Sequence, residues 1–249
     1  IVEDIAIAYG YENFKEEIEK DYNKIKASFQ KEDNLKVAFQ IADGIKEHQE
    51  VLREVFEFLI EAFKGKLRND KKTPLVFHSI YLTRVLYLCG EKDLNSLLVA
   101  ALHDVLEDTD ISEEVLLKED FMKNKEHIIE YLRVLKEDKT LSREPDGETL
   151  PPRYVEHIKR LVGASKEVIN TEILDRFSDL MDLEYITELP EKERNFRLKS
   201  KVIKVRSFVN NITKNREDFN KKAFELFGSK VKELENKFNI KVNAPLITK

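Results

Sequence analysis

A short segment of the chain combines an apolar helical pattern with four ionisable side chains. Residues 98–110 read LVAALHDVLEDTD, which places His103, Asp104, Glu107 and Asp108 within six residues. A buried charge costs several kcal/mol unless a partner compensates it, and a metal ion is one such partner. On a continuous helix, His103 would stack with Glu107 and Asp104 with Asp108, so that all four would border one cleft.

The residue types favour a hard or borderline divalent cation. An adjacent His-Asp pair offers one imidazole nitrogen and one carboxylate oxygen, a donor set that suits Mn²⁺, Fe²⁺, Zn²⁺ or Mg²⁺. Glu107 and Asp108 follow one turn later, where they could orient or deprotonate a water. The alternative is that His103 and Asp104 end a helix with solvated charges, and the pair alone does not exclude this.

Two further candidate ligands occur elsewhere in the chain. His78 lies in segment 75–89, which carries almost no charge, and is either a core histidine or a metal ligand. Asp175 lies in a helical segment of mixed polarity, as either a ligand or the surface partner of Arg176 or a nearby lysine. Each residue taken alone is better explained by the structural role.

The composition is typical of a helical protein. The 249 residues are 37% charged and include only 7 Gly and 6 Pro, which favours long helices over a many-stranded sheet. A net charge of −5 gives no indication of a nucleic-acid or membrane partner. The lone Cys89 fits a reducing cytoplasm. No apolar run approaches a membrane span, and no basic region precedes the short apolar stretch at the start, so we expect no signal peptide.

Apolar positions at helical spacing predict an all-α fold, and no strand is predicted. The predicted helices are two or three within 11–64, followed by 75–89, 94–107, 112–118, 125–136, 153–162, 166–186, 191–214 and 217–238. Gly90 is expected to end the helix 75–89. Residues 137–152 lack apolar periodicity, and a loop of this length is usually functional or mobile.

The order of the candidate ligands resembles the HD-domain metal phosphohydrolases. It is most similar to the stand-alone hydrolase domain of RelA/SpoT-type enzymes, which remove pyrophosphate from the 3′ position of the alarmone ppGpp. The resemblance rests on RNDKKTPLVFH (68–78), ALHDVLEDT (101–109) and ILDRFSDL (173–180). These are similar to R-x-x-G-x-P-Y-x-x-H, A-L-L-H-D-x-x-E-D-T and K-x-A-D-R-L-x-N-L. EDKTL (137–141) resembles the basic loop of small metazoan homologues.

The resemblance covers roughly residues 56–212 and implies an HD-domain helical bundle with additional N- and C-terminal helices. We expect an N-terminal helical extension (1–55), a hydrolase domain (56–240) and a C-terminal tail (241–249). The implied ligands of one Mn²⁺ are His78, His103, Asp104 and Asp175. Glu107 and Asp108 would activate or position the attacking water.

The resemblance also implies a substrate pocket for a small-molecule nucleotide. Arg68 matches an arginine that packs on the guanine base, and Lys139 matches a pocket lysine; a solvated basic loop is the alternative for both. Further candidates near the phosphates are Lys71, Lys72, Arg143 and Arg153. Tyr154 either contacts the nucleotide or packs the start of its helix.

Some positions depart from the family pattern. Asp179 replaces the usual Asn four residues after the last metal Asp, and Asn69 to Lys72 replace the usual Arg-Lys-x-Gly turn. Phe63 and Lys66 stand where the family often has His and Gln. KVRSFVNNI (204–212) is a weaker match to the last motif because a serine replaces its metal Asp. Two alternative functions therefore stay open: a hydrolase for another nucleotide or phosphoester, and a non-catalytic nucleotide-sensing module. The oligomeric state is not predicted.

Overall fold

The computed structural model of the protein describes residues 2–142, 150–183, 189–213 and 216–239. Its α-helices are α1 (Val2–Lys31), α2 (Asn34–Asp43), α3 (Gln49–Ala62), α4 (Val76–Leu88), α5 (Leu94–Leu102), α6 (Val105–Asp108), α7 (Glu113–Leu116), α8 (His127–Leu135), α9 (Pro152–Leu161), α10 (Lys166–Met181), α11 (Glu191–Phe208) and α12 (Lys221–Phe238). Within these ranges the only β interaction is an isolated bridge between Leu67 and Pro74. The all-α prediction is confirmed.

The helices α4, α5 and α10 form the centre of the bundle. Every residue from Val76 to Thr83 of α4 and from Ser96 to Leu102 of α5 is buried, as their low charge indicates. The helix α10 packs against α4, α5, α8 and α12. His78 lies on α4, His103 directly follows α5, and Asp175 lies on α10. Throughout the described ranges, each helix is too short or too polar to cross a lipid bilayer.

The long N-terminal helix α1 packs on α4 through aromatic rings. The ring of Tyr22 meets Phe77 and Tyr81 edge to face, with centroids 5.3 and 5.1 Å apart, and Phe29 meets Phe77 at 5.7 Å. Such pairs add to the stabilisation that the buried area provides. Part of the predicted extension 1–55 therefore contributes to the core. The predicted tail 241–249 lies outside the described residues.

The continuous helix predicted for 94–107 is wrong. The helix α5 ends at Leu102, and α6 begins at Val105. At the break, Nδ1 of His103 hydrogen-bonds the Ala100 carbonyl at 2.9 Å, and the Asp104 carbonyl accepts the Asp108 N–H at 2.8 Å. His103 and Glu107 therefore do not stack on one helix. Apolar periodicity could not show the break because apolar residues continue on its far side.

The other helix boundaries differ from prediction by a few residues. Gly90 follows α4 with a φ of 94°, which favours glycine and confirms the predicted end. The helix α10 ends at Met181 rather than 186, and α11 ends at Phe208 in a π turn that runs over Val209–Thr213. The start of α12 shifts to Lys221 because the Asn220 side chain accepts the Ala223 N–H at 3.0 Å.

Leu102→Ala and Leu117→Ala make the same chemical change in different environments. Leu102 is fully buried at the end of α5, whereas Leu117 is 39% exposed. We expect Leu102→Ala to lower the free energy of unfolding by about 2 to 5 kcal/mol, because it leaves a cavity. Leu117→Ala should change it by less than about 1 kcal/mol. Urea denaturation followed by circular dichroism measures both, and equal losses would contradict this placement of α5.

Candidate functional site

Three parts of the fold bring two imidazoles and a carboxylate to one point. One donor atom each from His78, His103 and Asp175 lies within 4.8 Å of the other two. Nε2 of His78 is 2.8 Å from Oδ1 of Asp175, and Nε2 of His103 is 3.9 Å from the same oxygen. Residues up to 97 positions apart in the sequence thus meet in the centre of the bundle.

Asp104 completes this cluster from the break between α5 and α6. Its Oδ2 lies 3.1 Å from Nε2 of His103 and 3.8 Å from Nε2 of His78. The structure therefore brings all four predicted metal ligands together. Two nitrogens and two carboxylates form a donor set that divalent transition metals accept.

The far nitrogens of both histidines are held by neighbouring groups. Nδ1 of His78 lies 3.0 Å from the Ser178 hydroxyl, and Nδ1 of His103 is hydrogen-bonded to the Ala100 carbonyl. Such contacts fix the ring orientation of metal-binding histidines. Nε2 of His103 is fully buried, and the Asp104 and Asp175 oxygens that face it at 3.1 and 3.9 Å are not in hydrogen-bonding geometry. An orphaned imidazole nitrogen that faces carboxylates is what a bound cation would satisfy, so the residues fit a divalent metal.

The charged groups of the cluster shift one another's pKa. Burial by itself would lower the pKa of His103, but the Asp104 and Asp175 carboxylates outweigh it and raise that pKa. Burial opposes ionisation of Asp104, yet the facing His103 ring holds its pKa below the usual range. A cation at Nε2 needs the neutral imidazole, so a metal ion and a proton compete for the same position.

Glu107 and Asp108 lie on α6, next to the cluster. Oε2 of Glu107 accepts the backbone N–H of Glu137 at 2.9 Å. Burial raises the pKa of Glu107, and the nearby carboxylates of Asp104, Glu137 and Asp108 raise it further. A carboxylate with a raised pKa is suited to accept a proton during catalysis.

Lys139 and Lys66 contact the same short helix. Nζ of Lys139 lies 3.0 Å from Oδ1 of Asp108 and donates to the Glu107 carbonyl, while Nζ of Lys66 donates to the Asp108 carbonyl. At the end of α6, the Thr109 hydroxyl donates to the Val105 carbonyl at 2.7 Å. Lys139 is thus beside the two candidate catalytic carboxylates.

The cluster opens into a cavity of about 550 Å³. Its basic side chains are Arg68, Arg176, Lys201 and Lys204. Nε of Arg68 is bound to Oδ2 of Asp182 at 2.8 Å, and Nη2 of Arg68 is 3.9 Å from Asp179. Asp179 is also paired with Lys201 at 2.6 Å. The negative charge of Asp179 is therefore compensated by Lys201 and Arg68.

The remaining predicted substrate residues have different positions. Lys71 and Lys72 are exposed and do not line the cavity. Tyr154 lines it and is buried, with its hydroxyl donating to the Lys204 carbonyl at 2.6 Å. Arg153 binds two loop carbonyls, those of Leu141 and Lys139, at 3.0 and 2.8 Å. Arg143 lies outside the described residues.

Sequence reasoning missed a set of three polar residues close to the candidate metal ligands. Nε2 of His157 lies 3.1 Å from Oε2 of Glu172, and Arg176 donates to the same carboxyl group. All three line the cavity. One face of α10 carries Glu172, Asp175, Arg176 and Asp179, which follow one another at helical spacing. This spacing in the sequence could have predicted that they line the same site. Lys201 and Lys204 carried no comparable signal.

The comparisons with known proteins bear on the fold. No protein-family profile matches the sequence, and no curated protein matches it. Among solved structures, the chain is similar to one described as a metazoan ortholog of SpoT that hydrolyzes ppGpp and plays a role in starvation responses. The two are 21% identical, with a TM-score of 0.56 over 74% of this chain and 93% of the other. This chain has the same fold. The expected helical bundle is therefore confirmed.

His103→Gln and Asp175→Asn should each weaken Mn²⁺ binding by roughly a hundredfold or more, because each would remove one of the four candidate ligands. His127→Gln is the control, since His127 is exposed and meets Tyr131 edge to face, outside the cluster. Titration calorimetry measures the affinities, and circular dichroism checks that the variants fold. Unchanged binding in His103→Gln would exclude this cluster as the metal site.

Proposed function

We propose that the protein is a metal-dependent hydrolase that removes pyrophosphate from the 3′ position of a guanosine alarmone such as ppGpp. The observation that carries this proposal is the convergence of His78, His103, Asp104 and Asp175 next to Glu107 at the wall of one cavity. The fold shared with a metazoan protein described as hydrolysing ppGpp supports the same reaction class.

We assign the four clustered residues to one divalent cation, Mn²⁺ in the first place, with Fe²⁺, Mg²⁺ or Zn²⁺ as alternatives. When bound, the cation supplies Lewis-acid stabilisation of the charge that develops on a phosphate ester. Ser178 and the Ala100 carbonyl keep both imidazoles oriented for it.

Glu107 is assigned as the general base. It takes a proton from a water whose oxygen forms a bond to phosphorus, while the bond between that phosphorus and the 3′ oxygen breaks. The 3′ oxygen then takes a proton from solvent, which leaves a free 3′ hydroxyl and pyrophosphate. Asp108, held by Lys139, orients the water from the adjacent position on α6.

The cavity walls supply the groups for a nucleotide. Arg68 packs its guanidinium plane on the purine base, and Arg176, Lys201 and Lys204 face the substrate phosphates. Tyr154 also lines the cavity, and Lys139 contributes a positive charge beside Glu107 and Asp108. We assign the hydrolase domain to residues 56–240, with 1–55 as a helical extension, and a cytoplasmic location that fits the single buried Cys89.

A second candidate is a hydrolase for a different nucleotide or phosphoester. One observation favours it: Arg68, Arg176 and Lys201 each already have a carboxylate partner, namely Asp182, Glu172 and Asp179. These pairs reduce the positive charge that the cavity offers to a substrate with two diphosphate groups.

The purified protein with Mn²⁺ should release pyrophosphate from ppGpp and leave GDP, as measured by ion-exchange chromatography of the products. Nucleotides with a single 3′ phosphate and nucleotides phosphorylated only at the 5′ position form the rest of the panel. Faster release from one of these would favour the second candidate. No hydrolysis of any member at saturating Mn²⁺ would favour the non-catalytic sensing module.

Glu107→Gln should lower kcat by about 10²- to 10⁴-fold, because it removes the general base. Mn²⁺ affinity should stay within about twofold, because Glu107 is not assigned as a ligand. Since the base must be ionised, the wild-type rate should fall as pH drops through the raised pKa of Glu107. Glu113→Gln is the control, because Glu113 pairs with Arg133 at the surface. A wild-type kcat in Glu107→Gln would exclude this assignment.

A further inference from the structure

The N-terminal helix α1 presents three polar side chains at four-residue spacing. Tyr22, Lys26 and Gln30 therefore follow one another along one side of the helix. None of the three lines the cavity. Each nevertheless contacts either the loop that carries Arg68 or the carboxylate that binds Arg68.

Arg68 lies in residues 66–75, a segment called the Arg68 loop. This loop lies between α3 and α4 and contains no helix or strand. The Arg68 N–H donates to the Thr73 carbonyl at 2.9 Å, and the Asp70 carboxylate accepts the Thr73 N–H at 2.9 Å. Lys71 has a φ of 57°, a left-handed conformation that is unfavourable for a lysine. Further backbone bonds run from the Lys71 N–H to the Arg68 carbonyl and from the Leu75 N–H to the Lys66 carbonyl, each at 2.9 Å. The loop therefore holds its own shape, and its contacts with neighbouring elements fix where Arg68 lies.

Two contacts from α1 support this loop directly. Nε2 of Gln30 donates to Oγ1 of Thr73 at 2.7 Å, and Nζ of Lys26 lies 3.3 Å from Oδ2 of Asp70. Thr73 is fully buried, and its hydroxyl donates in turn to Oδ2 of Asp70 at 2.6 Å. The amide, the hydroxyl, the carboxylate and the ammonium thus form one continuous set of contacts between helix and loop.

Two further contacts from α1 reach Asp182, just after α10. Nζ of Lys26 lies 2.5 Å from its Oδ1, and the Tyr22 hydroxyl donates to the same oxygen at 3.1 Å. The other oxygen, Oδ2, accepts from Nε of Arg68 at 2.8 Å. Asp182 is only 4% exposed. One buried carboxylate is therefore shared between α1 and Arg68.

The guanidinium group is planar and rigid, so a partner that fixes Nε also restricts the orientation of the plane. We propose that Lys26, Tyr22 and Gln30 are positioning residues for Arg68, and that α1 is thereby part of the nucleotide-binding site. The inference rests on the proposed function in one respect, the contact between Arg68 and the base. It assigns the N-terminal extension a role in substrate affinity rather than in the chemical step.

Two conservative variants test this inference with GDP as the probe, in buffer that contains Mn²⁺. Lys26→Met should raise the Kd for GDP roughly five- to tenfold, because Arg68 keeps its bond to Asp182 but Asp182 is no longer held by the ammonium group of Lys26. Tyr22→Phe, which removes only the hydroxyl, should raise it about two- to threefold. Where ppGpp is hydrolysed, KM should rise by the same factors while kcat and the Mn²⁺ affinity stay within about twofold. Lys26→Arg should restore much of the affinity.

Asp21→Asn is the matched control on the same helix. Asp21 pairs with Arg84 of α4 at 2.7 Å and touches neither the Arg68 loop nor Asp182. Asp21→Asn weakens the attachment of α1 to α4, so both variants should lose some stability. Of the two, only Lys26→Met should weaken GDP binding. The double variant Lys26→Met/Arg68→Ala adds a thermodynamic cycle. If Lys26 acts through Arg68, its substitution should have no further effect on Kd in the Arg68→Ala background.

Equal effects of Lys26→Met and Asp21→Asn on Kd, or additive effects in the double variant, would overturn the inference. So would a wild-type Kd in Arg68→Ala, or no GDP binding by the wild-type protein. These results are separate from the test of the proposed function, which depends on pyrophosphate release. A protein that binds GDP with the expected pattern but releases no pyrophosphate would support the inference and reject the proposed reaction.

Discussion

Nε2 of His103 is buried without a hydrogen-bond partner and faces the carboxylates of Asp104 and Asp175. Desolvating these groups is costly unless they are compensated, and in this protein compensation requires three distant parts of the chain to meet. The apolar helices α4 and α5 and the mixed helix α10 provide this meeting point. The break after Leu102 then turns His103 and Asp104 toward it, instead of along a continuing helix.

Charge compensation extends outward from this centre in pairs. Lys201 pairs with Asp179, Arg68 with Asp182, and Arg176 with Glu172. Four of the residues involved lie on α10 or directly after it, so one helix organises much of the cavity. Because each pair is fixed before any ligand enters, the cavity is pre-organised, and its net charge is smaller than its number of basic residues suggests.

The N-terminal helix joins the core and the site. Tyr22 packs between aromatic rings of α4 while its hydroxyl reaches Asp182, so one side chain contributes to the hydrophobic core and to the polar network. Because α1 is fixed by packing against the core, it gives rigid support to the Arg68 loop, which contains no helix or strand. The left-handed conformation of Lys71 is held within the loop itself, because the Lys71 N–H donates to the Arg68 carbonyl and the Lys72 N–H to the Asp70 carboxylate, each at 2.9 Å.

Periodicity and motif order in the sequence were sufficient for the all-α class, most helix positions and the four candidate metal ligands, because these depend on local spacing and on residue types that suit a cation. The break at His103 and the pairings of Asp179 with Lys201 and of Asp182 with Arg68 and Lys26 were not predictable. They join residues such as Lys26 and Asp182, 156 positions apart, and no local pattern encodes which polar groups meet. Only the packing of α1, α4, α5 and α10 determines those contacts, because burial decides which charges must find a partner.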